Sequence, residues 1–174
     1  MNTLQIDNAL RSNPVTSPSF RGVFAADRLP ILDHSIPSCY VANCSNADTK
    51  GSHWVAFYQD QPAVIEIFDS YEKPLNFHSA HLAAFTRGLK EVWQVQTLQQ
   101  PMSTVCGHYC LYFLYNRCCG QSYEQLIQSF TKNAFINDKV VCQYVNRCFN
   151  MTTKVFDLDM LDQSAKSLMR NLHN

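Results

Sequence analysis

An apolar run from Val105 to Cys118, VCGHYCLYFLYNRC, constrains the fold of this chain more than any other feature. It is strongly apolar over about four helical turns, as expected of a helix that is buried on most sides. We therefore predict a central helix with Cys106 in its first turn.

Three segments upstream are predicted strands, because bulky, β-branched and aromatic residues dominate them. They are 39–44 (CYVANC), 53–58 (HWVAFY) and 63–69 (AVIEIFD). The turn QDQP joins the last two into an antiparallel hairpin, in which the chain runs out and returns. His53 starts one strand and Asp69 ends the next, so we expect the two residues at the same end of the sheet.

Apolar spacing and capping residues predict the other elements. Helices are expected over 2–10, 78–92, 122–131, 137–149 and 157–172, with a further strand over 93–98. The predicted N-caps are Ser122, Asn137 or Asp138, and Asp157 or Asp159. Gly88 weakens the second helix, and Ser- and Pro-rich residues 12–20 predict a loop.

The chain has 174 residues, 46% of them hydrophobic, which predicts a single domain over 1–174. The expected class is α+β, a small mixed or antiparallel sheet packed against the central buried helix with further helices around it. The net charge is zero, so no overall field draws the chain to nucleic acid or to an anionic membrane. No leader or membrane-spanning run is evident, and no membrane partner is expected.

Eight cysteines occur, but no Cys-x-x-Cys pair, so neither a disulfide framework nor a structural zinc site is favoured. Most of them are predicted to be small buried hydrophobic residues. Cys106 differs, because a helix N-terminus and a neighbouring imidazolium both lower a thiol pKa. We predict Cys106 as a nucleophile, His53 as its base and Asp69 as the carboxylate that orients the imidazole.

Acyl transfer also needs donors for an oxyanion. The first-turn amides of Cys106 and Gly107 lack helical partners, and Gln99 or Gln100 can add a side-chain amide. Residue type alone leaves other histidines open as the base: His34, His78, His81, His108 and His173. His108 is the weakest of these, because adjacent helix positions do not face each other.

A family resemblance favours one choice among these residues. The blocks GSHWVAF, IFDSYEKP and QQPMSTVCGHYC resemble the His-Trp, acidic and Gln-to-Cys-Gly blocks of the adenovirus protease (adenain) family and of the related SUMO-specific proteases. FRGVFAADRLP and CYVANCSNADTKGSHW also resemble the adenain opening, a short loop and a strand before the histidine. The order His53, Asp69, Cys106 matches that of the family.

The resemblance implies further roles. Gln99 matches the oxyanion glutamine of adenain, and Gln100 matches that of the SUMO-specific proteases; the spacing narrowly favours Gln99. Trp54 matches a tryptophan that closes over small substrate residues, which implies glycine near the scissile bond. A role for Trp54 as an ordinary core residue stays equally open.

The implied activity is that of a cysteine endopeptidase that matures viral capsid or core precursors, in a virus or virus-like transposon. Host cytoplasm or nucleus and the virion are the implied locations. Adenain is activated by a viral peptide and by DNA, but this chain has no cysteine between Cys44 and Cys106 and no net charge. We therefore expect no cofactor, and a peptide or DNA activator stays open.

Three other functions are compatible with the same residues. They are a deconjugase of a ubiquitin-like modifier, an acetyltransferase with a similar triad, and a non-catalytic interaction module. The chain is short for a deconjugase, and a module would not need His53, Asp69 and Cys106 together. A thiol-reactive electrophile separates an enzyme from a module by whether it labels Cys106.

Overall fold

The computed structural model describes residues 1–32 and 35–151. Its helices are α1 (Thr3–Ser12), α2 (Leu75–His78), α3 (Ala80–Phe85), α4 (Cys106–Cys118), α5 (Tyr123–Gln128) and α6 (Ala134–Cys148). Its strands are β1 (Phe20–Ala25), β2 (Ser38–Asn43), β3 (Trp54–Gln61), β4 (Val64–Phe68) and β5 (Lys90–Trp93), and a short 3-10 helix, Ala26–Arg28, follows β1. The helix predicted over 157–172 lies outside the described residues. None of the helices described here is long and apolar enough to cross a membrane.

The five strands form one mixed sheet in the order β1-β2-β3-β4-β5. The two outer pairs are parallel, and the two inner pairs are antiparallel. Strand β1 was not predicted, because its opening block was interpreted as part of a loop. Gly22, with a φ of 145°, and a register shift between Phe20 and Gly22 interrupt the two-residue alternation that identifies a strand.

The predicted hairpin is confirmed. Strands β3 and β4 are antiparallel, with Ala56 opposite Phe68 and Gln61 opposite Val64. Strand β3 runs three residues beyond the predicted Tyr58, so the turn falls at Pro62 and Ala63. The residues that precede β3 and follow β4 consequently lie at the same end of the sheet.

Helix α4 packs against one face of the sheet and is buried along most of its length, as predicted. Side chains that alternate along β3 contribute to two apolar clusters, one on each face. Phe68 stacks on Phe113 of α4 with ring centroids 4.6 Å apart. The predicted fold class, with a mixed sheet against a central helix, is confirmed.

The region 75–98 differs from the prediction. The single helix expected over 78–92 is shortened to α3, with the separate short helix α2 before it, and strand β5 lies at Lys90–Trp93 instead of 93–98. Gly88 has a φ of 88°, a conformation that ends a helix. Parallel pairing of β5 with β4 is a long-range interaction that a local helical spacing does not reveal.

Helices α5 and α6 also have boundaries that differ from the predicted ones. Ser122 caps α5 as predicted, but α5 ends at Gln128 instead of Thr131. The N-cap of α6 is Asn133, whose side chain accepts from two backbone amides. Asn137 and Asp138, the predicted caps, are buried inside α6 and bind groups near the site described next.

Candidate active site

Cys106 is the first residue of α4, and its side chain is buried. Val105, the N-cap, offers no side-chain hydrogen bond, so the first amides of the helix have no capping partner. The thiol accepts a hydrogen bond from the backbone amide of Trp54 and interacts with the imidazole of His53. The structure thus places the predicted nucleophile beside the predicted base.

His53 lies directly before β3, with its imidazole between Asp69 and Cys106. Its Nε2 donates to Oδ1 of Asp69 at 2.6 Å, because a carboxylate can only accept. Its Nδ1 is buried and makes no short, linear hydrogen bond to a described residue. The thiol interaction is therefore a looser contact, and such hydrogen bonds are often long before substrate binds.

Asp69 follows β4 and is only 1% exposed. Each carboxylate oxygen accepts from one imidazole and one backbone amide. Oδ1 accepts from His53 and from the amide of Tyr71 at 2.9 Å. Oδ2 accepts from His78 Nε2 at 2.7 Å and from the amide of Lys73 at 3.0 Å. The four donors match the four lone-pair positions of an ionised carboxylate.

Electrostatics at these residues favour a thiolate beside an imidazolium. Burial by itself raises the pKa of Cys106, but the hydrogen bond and charge of His53 and the amide of Trp54 together lower it. Burial would lower the pKa of His53, yet the hydrogen bonds to Asp69 and Cys106 raise it to about 9. Burial also opposes ionisation of Asp69, and the two imidazoles outweigh it and lower its pKa.

The two predicted glutamines lie in the loop before α4 and differ in their surroundings. Gln99 is fully buried, and its Oε1 accepts from Ser70 at 2.6 Å. Its Nε2 donates to the Ser103 carbonyl at 2.8 Å and to the Tyr71 hydroxyl at 3.0 Å. Gln100 is half-buried, and its side chain makes no hydrogen bond within residues 1–32 and 35–151. The side-chain amide of Gln100 is thus free to donate, whereas that of Gln99, which the spacing narrowly favoured, is already bound.

Trp54 and Gly107, the predicted substrate-binding residues, both lie against the start of the chain. The Trp54 indole donates to the Met1 carbonyl at 3.2 Å. A Cβ at Gly107 would lie 3.1 Å from Met1 Cβ and 3.2 Å from Ile6 Cδ1, so glycine lets the two helices approach closely.

A polar cleft of about 510 Å³ opens beside these groups. Its lining includes His53, Trp54 and Cys106, residues 45–47 and 51–52 before β3, and Met1–Thr3. A peptide bound in this cleft would lie against the thiol and the imidazole. The arrangement has the nucleophile, base, orienting carboxylate and concave surface that acyl transfer requires.

Two residues of the site had no assigned role in the sequence prediction. His78 was only one of several candidate bases, and it binds the carboxylate instead of the thiol. Tyr71 packs against the His53 ring at 4.9 Å, and its hydroxyl donates to the Ser103 carbonyl. Neither residue has a sequence signal beyond its position shortly after Asp69.

The other histidines do not contact the thiol–imidazole pair in the described residues. His108 points elsewhere on α4, and burial lowers its pKa to about 4. His81 is exposed, and His34 and His173 lie outside the described residues. Among the residues described, His53, Asp69 and His78 are the one group with metal-ligand geometry, their ligand atoms lying within 4.8 Å. Their mutual hydrogen bonds already use both oxygens of the carboxylate.

The chain is similar to proteases of two viruses. No family model matches the chain. The protease of porcine adenovirus A serotype 3 is 30% identical over 112 residues, covering 56% of this chain and 55% of that protein. The chain thus spans about half the length of this curated relative. A crystal structure of an ASFV protease has 22% identity and a TM-score of 0.41, over 64% of this chain and 43% of that one. The predicted resemblance to the adenovirus proteases is confirmed by this sequence similarity.

Proposed function

We propose that this chain is a cysteine protease in which Cys106 is the nucleophile, His53 the base and Asp69 the orienting carboxylate. The observation that carries the proposal is the continuous contact from thiol to imidazole to buried carboxylate beside a polar cleft. An interaction module has no need for a thiol with a lowered pKa at a helix N-terminus. The adenovirus relative supports the same class of reaction.

Acylation begins from the thiolate–imidazolium pair. The Cys106 thiolate attacks the carbonyl carbon of the substrate, and the carbonyl π electrons move to oxygen. Backbone amides of Cys106 and Gly107 and the amide of Gln100 are proposed to donate to this oxyanion. His53 gives its Nδ1 proton to the departing amine as the C–N bond breaks, which leaves a thioester on Cys106.

Deacylation reverses these roles. Neutral His53 accepts a proton from water, and the resulting hydroxide equivalent attacks the thioester carbon. The C–S bond breaks, the acid product leaves, and the thiolate–imidazolium pair is restored. Asp69 keeps its charge throughout and stabilises the imidazolium through Oδ1.

The substrates are proposed to be viral structural precursors cleaved near glycine. Trp54 lies beside the thiol, where a large side chain next to the scissile bond would meet the indole. Because the relative is an adenovirus protease, the role that we propose is virion maturation, in host cytoplasm or nucleus and in the virion. The proposed protease needs no bound cofactor, and an activating peptide or DNA would act in addition.

The test is cleavage of candidate precursor proteins by purified chain, followed by mass spectrometry. Cys106→Ala should abolish cleavage, because no other thiol contacts His53, and should leave the unfolding temperature nearly unchanged. Cys119→Ala is the matched control at the exposed end of the same helix and should retain full activity. Normal cleavage by Cys106→Ala would reject the proposed nucleophile.

A further inference from the structure

The Asp69 carboxylate is held between two imidazoles, and only one of them contacts the thiol. We propose that His78 is a positioning residue that fixes the Asp69 carboxylate so that Oδ1 faces His53. The proposal rests on the proposed protease function, in which Asp69 orients the base. His78 is not among the residues that line the cleft, and its hydrogen bond is to Asp69, so it acts through Asp69.

The chain after Asp69 folds around the carboxylate to bring His78 into place. The amides of Tyr71 and Lys73 donate to the two oxygens, and the Glu72 amide donates to the Asp69 carbonyl. Glu72 has a φ of 58°, a strained conformation for a residue other than glycine. The local strain is offset by the hydrogen bonds that this turn delivers to Asp69.

His78 ends α2 with its imidazole largely buried. The ring lies 5.3 Å from the His53 ring and meets the Phe77 ring edge-on. Nε2 must carry the proton, because its partner is a carboxylate oxygen. A buried, fixed N–H donor on the second oxygen prevents the carboxylate from rotating away from His53.

The hydrogen bond from His78 also affects the pKa of Asp69. Burial is the largest influence on the pKa of Asp69 and raises it, whereas hydrogen bonds from His53 and then His78 lower it. Without the His78 donor the pKa of Asp69 would rise. A carboxylate that can rotate also no longer holds the His53 imidazolium beside the thiol, whose pKa His53 lowers, so the thiolate of Cys106 would then form only at higher pH.

Other titratable groups near the carboxylate come from three parts of the chain: Cys44, Tyr71, Lys73, Cys106 and Cys110. Burial raises the pKa of Cys44 and Cys110, and it raises that of Tyr71 to about 12, so these three stay neutral near pH 7. The Lys73 ammonium lies over the exposed Phe77 ring, 5.8 Å from its centre. The groups with shifted pKa values that face each other across the site are thus Cys106 and His53.

Two substitutions of His78 separate a positioning role from mere packing. In His78→Gln the amide nitrogen falls near the position of Nε2, so the donor to Oδ2 is kept. In His78→Asn the shorter side chain does not reach that oxygen. Exposed His81, replaced by Asn, is the surface control. Thermal unfolding checks each variant, and His78→Ala replaces His78→Asn if the latter does not fold.

The readouts are kcat/KM against pH and the rate at which iodoacetamide alkylates Cys106, followed by mass spectrometry. We expect His78→Asn to lower kcat/KM about 10- to 100-fold, the usual cost of a hydrogen bond to a charged group. Its acidic limb should move up by about one pH unit in both assays. His78→Gln and His81→Asn should follow the wild type.

Two results would overturn the role of His78. One is a wild-type pH profile for His78→Asn. The other is an equal loss in His78→Asn and His78→Gln with no movement of the acidic limb, which indicates packing alone. Failure of the proposed function is distinct, because it would appear as absence of cleavage by the wild type. Alkylation of Cys106 reports on thiolate formation whether or not cleavage occurs.

Discussion

The site joins two regions that are held in place by different interactions. At the end of the β3–β4 hairpin, His53 and Asp69 owe their proximity to the backbone pairing of two adjacent strands. The loop before α4, which carries Gln99 and Gln100, is instead bound by side chains from distant parts of the chain. Pairing between neighbours in sequence can be predicted from a local pattern, whereas contacts between distant side chains cannot.

The loop is fixed from several sides. The Gln94 side chain donates to the Asp69 carbonyl, and the Leu98 and Gln99 amides donate to the Ser70 carbonyl. From α6, the amide of Asn137 donates to the Leu98 carbonyl at 3.2 Å. The region that carries the glutamines is thus tied to α6 as well as to the residues after β4.

Substitutions at the end of the β3–β4 hairpin should lower kcat/KM the most. His53→Ala removes the base and the cation that stabilises the thiolate, so kcat/KM should fall by at least about 10,000-fold. Asp69→Asn should cost less, about 100- to 1000-fold, because the amide still orients one imidazole. Its NH₂ group then faces a donor on the other side, so either His53 or His78 must change tautomer.

Steady-state kinetics from pH 4 to 10 check this prediction. The wild type should gain activity as Cys106 ionises and lose it as the imidazolium of His53 deprotonates near pH 9. His53→Ala should lose this bell shape. If His53→Ala cleaved as fast as the wild type, His53 would have no place in the mechanism.

Substitutions in the loop before α4 should lower activity less, and they distinguish the two glutamines. Gln100→Ala should lower kcat about 100- to 1000-fold with little change in the unfolding temperature, as expected for loss of an oxyanion donor. Gln99→Ala removes the acceptor of the buried Ser70 hydroxyl and one of the two side-chain donors to the Ser103 carbonyl. It should therefore lower the unfolding temperature more than it lowers kcat.

The two glutamine variants are controls for each other in kcat and in thermal unfolding. A large loss of kcat in Gln99→Ala alone, with an unchanged unfolding temperature, would restore the preference from sequence spacing. Wild-type kcat in both variants would mean that neither glutamine donates to the oxyanion and that the backbone amides of Cys106 and Gly107 stabilise it alone.

The sequence predicted the parts of the site that depend on local pattern. The hairpin was identifiable from two adjacent β-rich segments, and α4 from its length and apolar character. The errors fall where long-range pairing outweighs local spacing. Residues 90–92 continue the apolar spacing of the helix predicted over 78–92, but they pair with β4 as a strand.

The role of His78 could not be predicted, because nothing in its spacing distinguishes it from five other histidines. Its contact with Asp69 depends on the turn at 70–74, where a residue with positive φ redirects the chain. The choice between Gln99 and Gln100 was open for a similar reason. An extended loop turns neighbouring side chains to opposite sides, and only tertiary contacts show which side is buried.

The central claim, that Cys106 is a thiolate activated by His53, is tested most directly by a peptidyl electrophile that ends in Gly-Gly. After reaction at pH 7, mass spectrometry locates the adduct among the eight cysteines. The account predicts a single adduct at Cys106, strongly reduced in His53→Ala and absent in Cys106→Ala. An adduct at the exposed Cys119 in preference to Cys106, or equal labelling of Cys106 in His53→Ala, would contradict it.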